Sequence, residues 1–296
     1  MNYYKSLPAF LKANGFPLSE NPMIAVVPCR GSCAMTNTEF TGDFYMIAFK
    51  KLKSGTISYG RTRYDHENGS MLFVKPRQVI EFSNLQLEEA GFNIYFHEDF
   101  LNGHPIHEEI KKYGFFDYET NEALHLSPRE EQIIWELHDK IEAELNGNMD
   151  EYSQDIILTH LDSILKYSQR FYKRQFINRT ELSGKTVSKF NKALSNYFEG
   201  EILQTKGLPT VNAMASDLNV SSRYLSDMLK QETGKTAMEL IHIYLINEAK
   251  NRLKSQDQNV SEIAYTLGFE NLPYFSRLFK KETGLSPNQF KKQLLN

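Results

Sequence analysis

The chain has 296 residues, 41% of them hydrophobic and 24% charged, with a formal net charge of −3. That length has room for two domains, and the composition is that of a soluble globular protein. Two cysteines, Cys29 and Cys33, make no disulfide framework, and no apolar run approaches the ~18 residues of a membrane-spanning helix. The first residues, MNYYKSLPAFLKANG, hold an apolar patch too short for a signal-peptide core, so the expected location is cytoplasmic, with no membrane partner.

Residues from about Met23 to Phe100 read as strands. MIAVVPC, DFYMIAFKK, GTISYGRTRY, SMLFVKP, QVIEFS and GFNIYFHEDF are short and rich in β-branched and aromatic residues. Gly42-Asp43, Ser54-Gly55, Asn68-Gly69 and Gly91 mark the expected turns. Many short strands at this spacing favour a barrel or sandwich. The strands carry no His-x-His pair. His66 stands alone, and HPIHEEIKKYG, with His104 and His107, reads as a solvated helix rather than a metal site. No phosphate loop, nucleophile elbow or zinc-protease helix occurs, so the expectation is a protein without catalysis, cofactor or metal.

From Ser127 the period becomes helical. Ser127, Pro128 and Glu130 form a helix start, and Ile134, Leu137, Ile141 and Leu145 follow at helical steps. A second helix is expected from Tyr152 to Phe176. Its Ile157, Leu161, Ile164 and Phe171 follow a seam spacing, which suggests a helical interface with a second copy of the chain, the alternative being that both faces of the helix pack within one chain. Asn178–Lys185, NRTELSGK, is polar and reads as a linker. Val187, Phe190, Leu194 and Tyr197 then begin a further helix.

The last hundred residues carry a repeat. In NVSEIAYTLGFENLPYFSRLFKKETGLSPNQF, Asn259 and Glu262 form a capping box. Ile263, Ala264 and Leu267 give an apolar face, Gly268 is placed for positive φ, and Phe269 plugs the corner. Phe275, Leu278 and Phe279 bury a second helix, which Gly284 stops. Upstream, TVNAMASDLNVSSRYLSDMLKQETGKT repeats the pattern. Ala215, Leu218, Asn219 and Val220 match Ala264, Leu267, Gly268 and Phe269; Tyr224, Leu225, Ser226 and Lys230 match Tyr274, Phe275, Ser276 and Lys280. Each unit is a helix-turn-helix, whose second helix can enter a DNA major groove. Met238–Lys254 lies between them as one helix with a stripe of Leu240, Ile241, Leu245, Ala249 and Leu253. From Glu181 onward there are 15 Lys and Arg against 12 Asp and Glu, so the more basic half is the one with the repeat.

At IAYTLGF and YFSRLFKKETGLSP the chain resembles the AraC/XylS family of bacterial transcription regulators. It departs from the family pattern at Pro273, Lys291 and Tyr244. The resemblance implies an α+β fold of two domains. Residues 1–177 are then a cupin-like β-barrel sensor with dimerisation helices, 178–186 a linker, and 187–296 an all-α double helix-turn-helix domain. Ser222, Arg223, Ser226 and Asp227, and Asn271, Leu272, Pro273 and Arg277, are expected at base edges. Arg223 is the best reader, since its fork matches guanine O6 and N7, and Asp227 can accept from cytosine N4 or repel phosphate from wrong registers. Ser221, Lys230, Tyr274, Lys280 and Lys281 are expected at phosphates. Expected partners are double-stranded DNA, a second copy of the chain, a small-molecule effector and RNA polymerase. The competing readings are a cupin-type enzyme with a helical accessory domain, or an interaction protein inactive toward DNA.

Overall fold

The computed structural model of the chain describes residues 2–29, 38–50, 52–59, 62–63, 69–87, 91–118, 122–183, 185–199, 207–254 and 259–293. Contacts divide it into two units, Met1–Gln175 and Phe176–Asn296.

In the first unit the described strands are β1 (Asn2–Tyr4), β2 (Ile24–Cys29), β3 (Thr38–Gly42), β4 (Phe44–Lys50), β5 (Leu52–Tyr59), β6 (Thr62–Arg63), β7 (Ser70–Val74), β8 (Ile80–Leu87), β9 (Gly91–His97) and β10 (Leu124–His125). They pair in two five-stranded sheets, ordered β1-β3-β8-β5-β6 and β10-β7-β4-β9-β2. The expected barrel is therefore corrected: among the described residues no pairing closes the sheets on themselves. Pro28 in β2 lacks an N–H and suits an edge, and β10 and β6 are only two residues long. The expected turn at Ser54-Gly55 lies inside β5, where the register against β8 shifts on both sides of Ser54. That is a bulge rather than a reversal. Gly42 and Asp43 do turn the chain, carrying it from β3 in one sheet to β4 in the other.

Alternation decides what each strand face buries. Met46 and Ala48 of β4 join Leu72, Val74, Tyr95, Phe40 and Phe10 in one core cluster. Phe10 comes from α1 (Leu7–Ala13), a helix absent from the expectation, and its ring lies 4.8 Å from Phe40 and 5.0 Å from Tyr95. The opposite face of β4 and β9 is covered by α3 (Pro128–Leu145), which follows the short α2 (Ile106–Glu109) in the chain. Trp135 packs 5.0 Å from Phe92 and 5.8 Å from Phe49. The start of α3 is as expected, with Glu130 accepting from the Ser127 N–H at 2.9 Å.

The next helix, α4 (Ser153–Ser183), runs along β7 and β10. Ser168 Oγ lies 3.9 Å from Met71 Sδ, Tyr172 donates to Glu122 O at 3.2 Å, and Gln175 donates to Ala123 O at 3.0 Å. This settles where the seam goes. Ile157, Leu161 and Ile164 are 0% exposed and Phe171 is 4% exposed within one chain. The seam assigned to a partner subunit is thus corrected: its apolar stripe is spent on burial within the chain itself. The helix also runs through residues 178–183, placed in the expected linker. NRTELS has neither Gly nor Pro to stop it, and Gly184 lies outside the described residues. The division between units falls inside α4, after Gln175.

The second unit continues with α5 (Lys185–Glu199), α6 (Val211–Asp217), α7 (Ser222–Thr233), α8 (Ala237–Lys254), α9 (Val260–Thr266), α10 (Leu272–Thr283) and α11 (Pro287–Gln293). Phe190 and Leu194 of α5 are fully buried. Helix α8 is the hub: Ile241, Leu245, Ile246, Ala249 and Leu253 are buried, and it contacts α7, α9, α10 and α11. No helix among the described residues is long and apolar enough to cross a membrane.

Candidate nucleic-acid interface

The two helix-turn-helix units close their corners with the same hydrogen bonds. Val220 N donates to Ala215 O at 3.0 Å in the first, and Phe269 N donates to Ala264 O at 3.0 Å in the second. Asn219 at φ 55° and Gly268 at φ 83° supply the left-handed residue. The match extends to the ends of α7 and α10. Gly234 and Gly284 cap them in the left-handed region. Thr233 and Thr283 each donate to a carbonyl one turn back, Leu229 O and Phe279 O, both at 2.8 Å.

The corners differ in filling. Phe269 is 1% exposed and packs 5.1 Å from Phe275. Val220 is only half-buried. A Cβ on Gly268 would lie 3.2 Å from Gly207 C and 3.3 Å from Leu208 N. The second corner therefore sits against the backbone just before α6, and Tyr197 of α5 donates to Gly207 O at 3.1 Å in the same place. Through this contact and through α8, the two units form one body.

The outer faces of α7 and α10 hold most of the residues singled out from sequence. On α7, Arg223 and Lys230 are exposed, and Ser222, Ser226 and Asp227 are half-buried. Arg223 Nε donates to Asp227 Oδ2 at 3.1 Å, one turn along the helix. Ser222 Oγ donates to Asn212 Oδ1 of α6. On α10, Pro273, Tyr274, Arg277, Lys280 and Lys281 are exposed and Leu272 is half-buried. Two of the expected residues also cap these helices. Ser221, expected at a phosphate, is 9% exposed and caps α7, accepting from Tyr224 N at 3.1 Å. Asn271, expected at a base edge, caps α10, accepting from Tyr274 N at 2.9 Å. Both sit at an N-cap, where a side-chain oxygen meets a free backbone N–H. The matched tyrosines also part: Tyr224 is 1% exposed and packs 5.2 Å from Phe176, while Tyr274 is 38% exposed.

The surface is suited to an anion. Helix α10 carries Arg277, Lys280 and Lys281 on one exposed side. Titration is perturbed on α8, where burial holds His242 below its ordinary value of 6.5.

Near α2, His104 Nδ1 accepts from Ile106 N at 3.4 Å, and His107 lies 3.6 Å from Glu108. Another group, missed in the sequence, brings His138, Asp139 and Glu142 of α3 together, with ligand atoms within 4.8 Å of one another. Its signal is an i, i+4 pair of His138 and Glu142 on one helix face. His66 and Cys33 lie outside the described residues.

Residues 214–293 match a family described as a helix-turn-helix domain. A relative from Bacillus subtilis (strain 168), the uncharacterized HTH-type transcriptional regulator YfiF, is 24% identical over 265 residues, covering 87% of this chain and 81% of its own length. The HTH-type transcriptional activator RhaS of Salmonella arizonae is 35% identical over 79 residues, which are 27% of this chain and 28% of that protein. Among solved structures, a transcriptional regulator described as containing AraC-type DNA-binding domains, from Chromobacterium violaceum, is 19% identical over 38% of this chain and 96% of its own, with a TM-score of 0.31.

Proposed function

Through this C-terminal domain the chain belongs to the AraC/XylS family of helix-turn-helix transcription regulators, and we propose that its second unit grips duplex DNA with α7 and α10 in the major groove. The observation that carries this reading is the duplication itself. Two capped corners with matching hydrogen bonds are held by one central helix, and each leaves a polar helix face in solvent. Helix α8 is 18 residues long, or ~27 Å at 1.5 Å per residue, a length of the same order as the ~34 Å of one duplex turn. Arg223, Ser222, Ser226, Leu272, Pro273 and Arg277 are the base-facing set. Lys230, Tyr274, Lys280 and Lys281 face phosphates, which position without specifying.

The first unit is the regulatory half in this reading, a cupin-like sensor acting in the cytoplasm. A cavity of about 310 Å³ lies between residues 17–20, Ala25 and Val26 of β2, and Glu142, Leu145 and Asn146 at the end of α3. It is of a size to admit a small effector. An effector acts by binding one of two existing arrangements better than the other. A homodimer has to use surface other than the buried seam. Tyr152, 63% exposed just before α4, and Ile156, 39% exposed in its first turn, are left for it.

The test is recovery of duplexes bound by the full chain from a random library, with binding measured against salt. Enrichment of one sequence, with affinity falling linearly in log salt, is the expected result. Failure to bind any duplex at low salt would favour the interaction-protein reading instead.

A further inference from the structure

The ion pair between Arg223 and Asp227 changes what each residue can do. An arginine reaches guanine O6 and N7 with two N–H groups of its fork, either the two terminal nitrogens or one of them together with Nε. Here Nε is engaged, donating to Asp227 Oδ2 at 3.1 Å. The terminal nitrogens have no other partner among the described residues, and the side chain is 49% exposed at the first turn of α7. Only the end-on approach is left. Asp227, 28% exposed, is set back against the helix, so it supports the fork from behind.

Charge points the same way. An isolated arginine near DNA is drawn to any phosphate, and so binds without reading. An arginine that already has a carboxylate partner gains less from a phosphate, and its remaining advantage is the paired geometry offered by guanine. The second unit has no such device. Pro273 stands one turn before Arg277, at the place matching Arg223, and Arg277 has no ion-pair partner among the described residues.

We propose that Arg223 reads one guanine end-on in the major groove and that Asp227 is the positioning residue that sets its fork, so that base discrimination resides mainly in the first helix-turn-helix. This rests on the DNA-binding reading above and departs from the sequence expectation in one respect: Asp227 acts through Arg223 and does not accept from cytosine.

The experiment uses the full chain and a random duplex library, followed by titrations on the enriched duplex and on its single-base variants. Arg223→Ala is expected to remove a preference for guanine at one position, by about tenfold or more. Arg223→Lys is expected to do the same, because it keeps the charge and loses the fork. Asp227→Ala is expected to flatten that same position while leaving binding to unrelated duplex equal or tighter, since a carboxylate near phosphates has gone. The double variant should be no less selective than Arg223→Ala alone, as for two groups acting as one. Thermal melts that superimpose on the parent show that the helix is intact. A uniform loss on all duplexes in Asp227→Ala, or effects of the two residues at different base positions, overturns the assignment. If the parent chain enriches a sequence with no Arg223-dependent guanine, this inference alone falls. If it enriches none, the DNA-binding reading falls with it.

Discussion

At the first corner of the DNA-binding unit Asn219 turns the chain and a half-buried valine, Val220, fills the bend; at the second Gly268 turns it and Phe269 fills it with a ring 1% exposed. The backbone hydrogen bonds are the same at 3.0 Å. The difference lies in what each corner packs against. The second presses on the backbone at Gly207 and Leu208, whereas the first recognition helix receives Phe176 against Tyr224. A duplicated motif has thus been divided. One copy has the heavier apolar corner, a capping box and three exposed cations on its outer helix; the other has a lighter corner and an arginine held by a carboxylate. The same backbone is used for anchoring in one place and for reading in the other.

The largest effect that tests this division is at the corner plugs. Phe269→Ala should cost about 3–5 kcal/mol of stability, as for a fully buried ring. Val220→Ala should cost about 1 kcal/mol, since two half-buried methyl groups are removed. Urea unfolding of the full chain measures both, and equal losses would break the contrast.

Next come the turning residues. Gly268→Ala brings a disfavoured positive φ together with a close approach to backbone, about 2–4 kcal/mol in all. Asn219→Ala meets the φ penalty and should cost about 1 kcal/mol. If the glycine change were the milder one, the contact with Gly207 would not be holding the two units together.

The caps should separate the units by less. Asn259 accepts from Glu262 N at 2.9 Å while Glu262 accepts from Asn259 N at 2.8 Å, so the second unit starts with a reciprocal pair. In the first unit Thr210 accepts from Ala213 N at 3.1 Å, and Ala213 has no side chain with which to return the bond. Asn259→Ala and Thr210→Ala should each lose about 1 kcal/mol. Glu262→Ala should show a further, smaller loss that has no counterpart in the first unit.

On DNA, Lys280→Ala or Lys281→Ala should weaken every duplex alike and lower the salt slope by about one. A loss confined to one sequence would move specificity into the second unit and undo the division. The smallest effect concerns pH. Burial holds His242 below 6.5 in the fold, with Glu282 and Lys281 of the second unit acting in opposite directions on it. The unfolded chain then takes up its proton first as pH falls, so this contribution to stability is complete above about 6.5 and declines below it. His242→Gln should flatten that decline in the melting temperature, and an unchanged profile would assign the dependence elsewhere.

Much of the second unit was legible because its signals are local. Asn259 with Glu262, Gly268, Gly284 and the steps from Phe275 to Phe279 each act within a turn or two of helix, and the structure has them in those roles. Locality also explains a second role at Ser221 and Asn271. A polar residue at a helix start faces both solvent and its own backbone, and in both cases its side-chain oxygen accepts from the backbone N–H three residues on. The pairing of Arg223 with Asp227 was within reach of sequence as an i, i+4 pair, although the sequence reading gave the two residues separate roles.

The amino-acid sequence by itself determined that the chain ends in two copies of a capped helical corner, that many short strands precede them, and that a long amphipathic helix lies between. Only the tertiary structure decided that the described strands divide into two five-stranded sheets, that Ile157, Leu161, Ile164 and Phe171 are buried within the chain, and that Gly268 meets Gly207. The reason is the range of the interactions. Caps, turns and helical periodicity are written over a few residues, while an apolar stripe states only that it must be covered, and what covers it depends on strands more than eighty residues away in the chain.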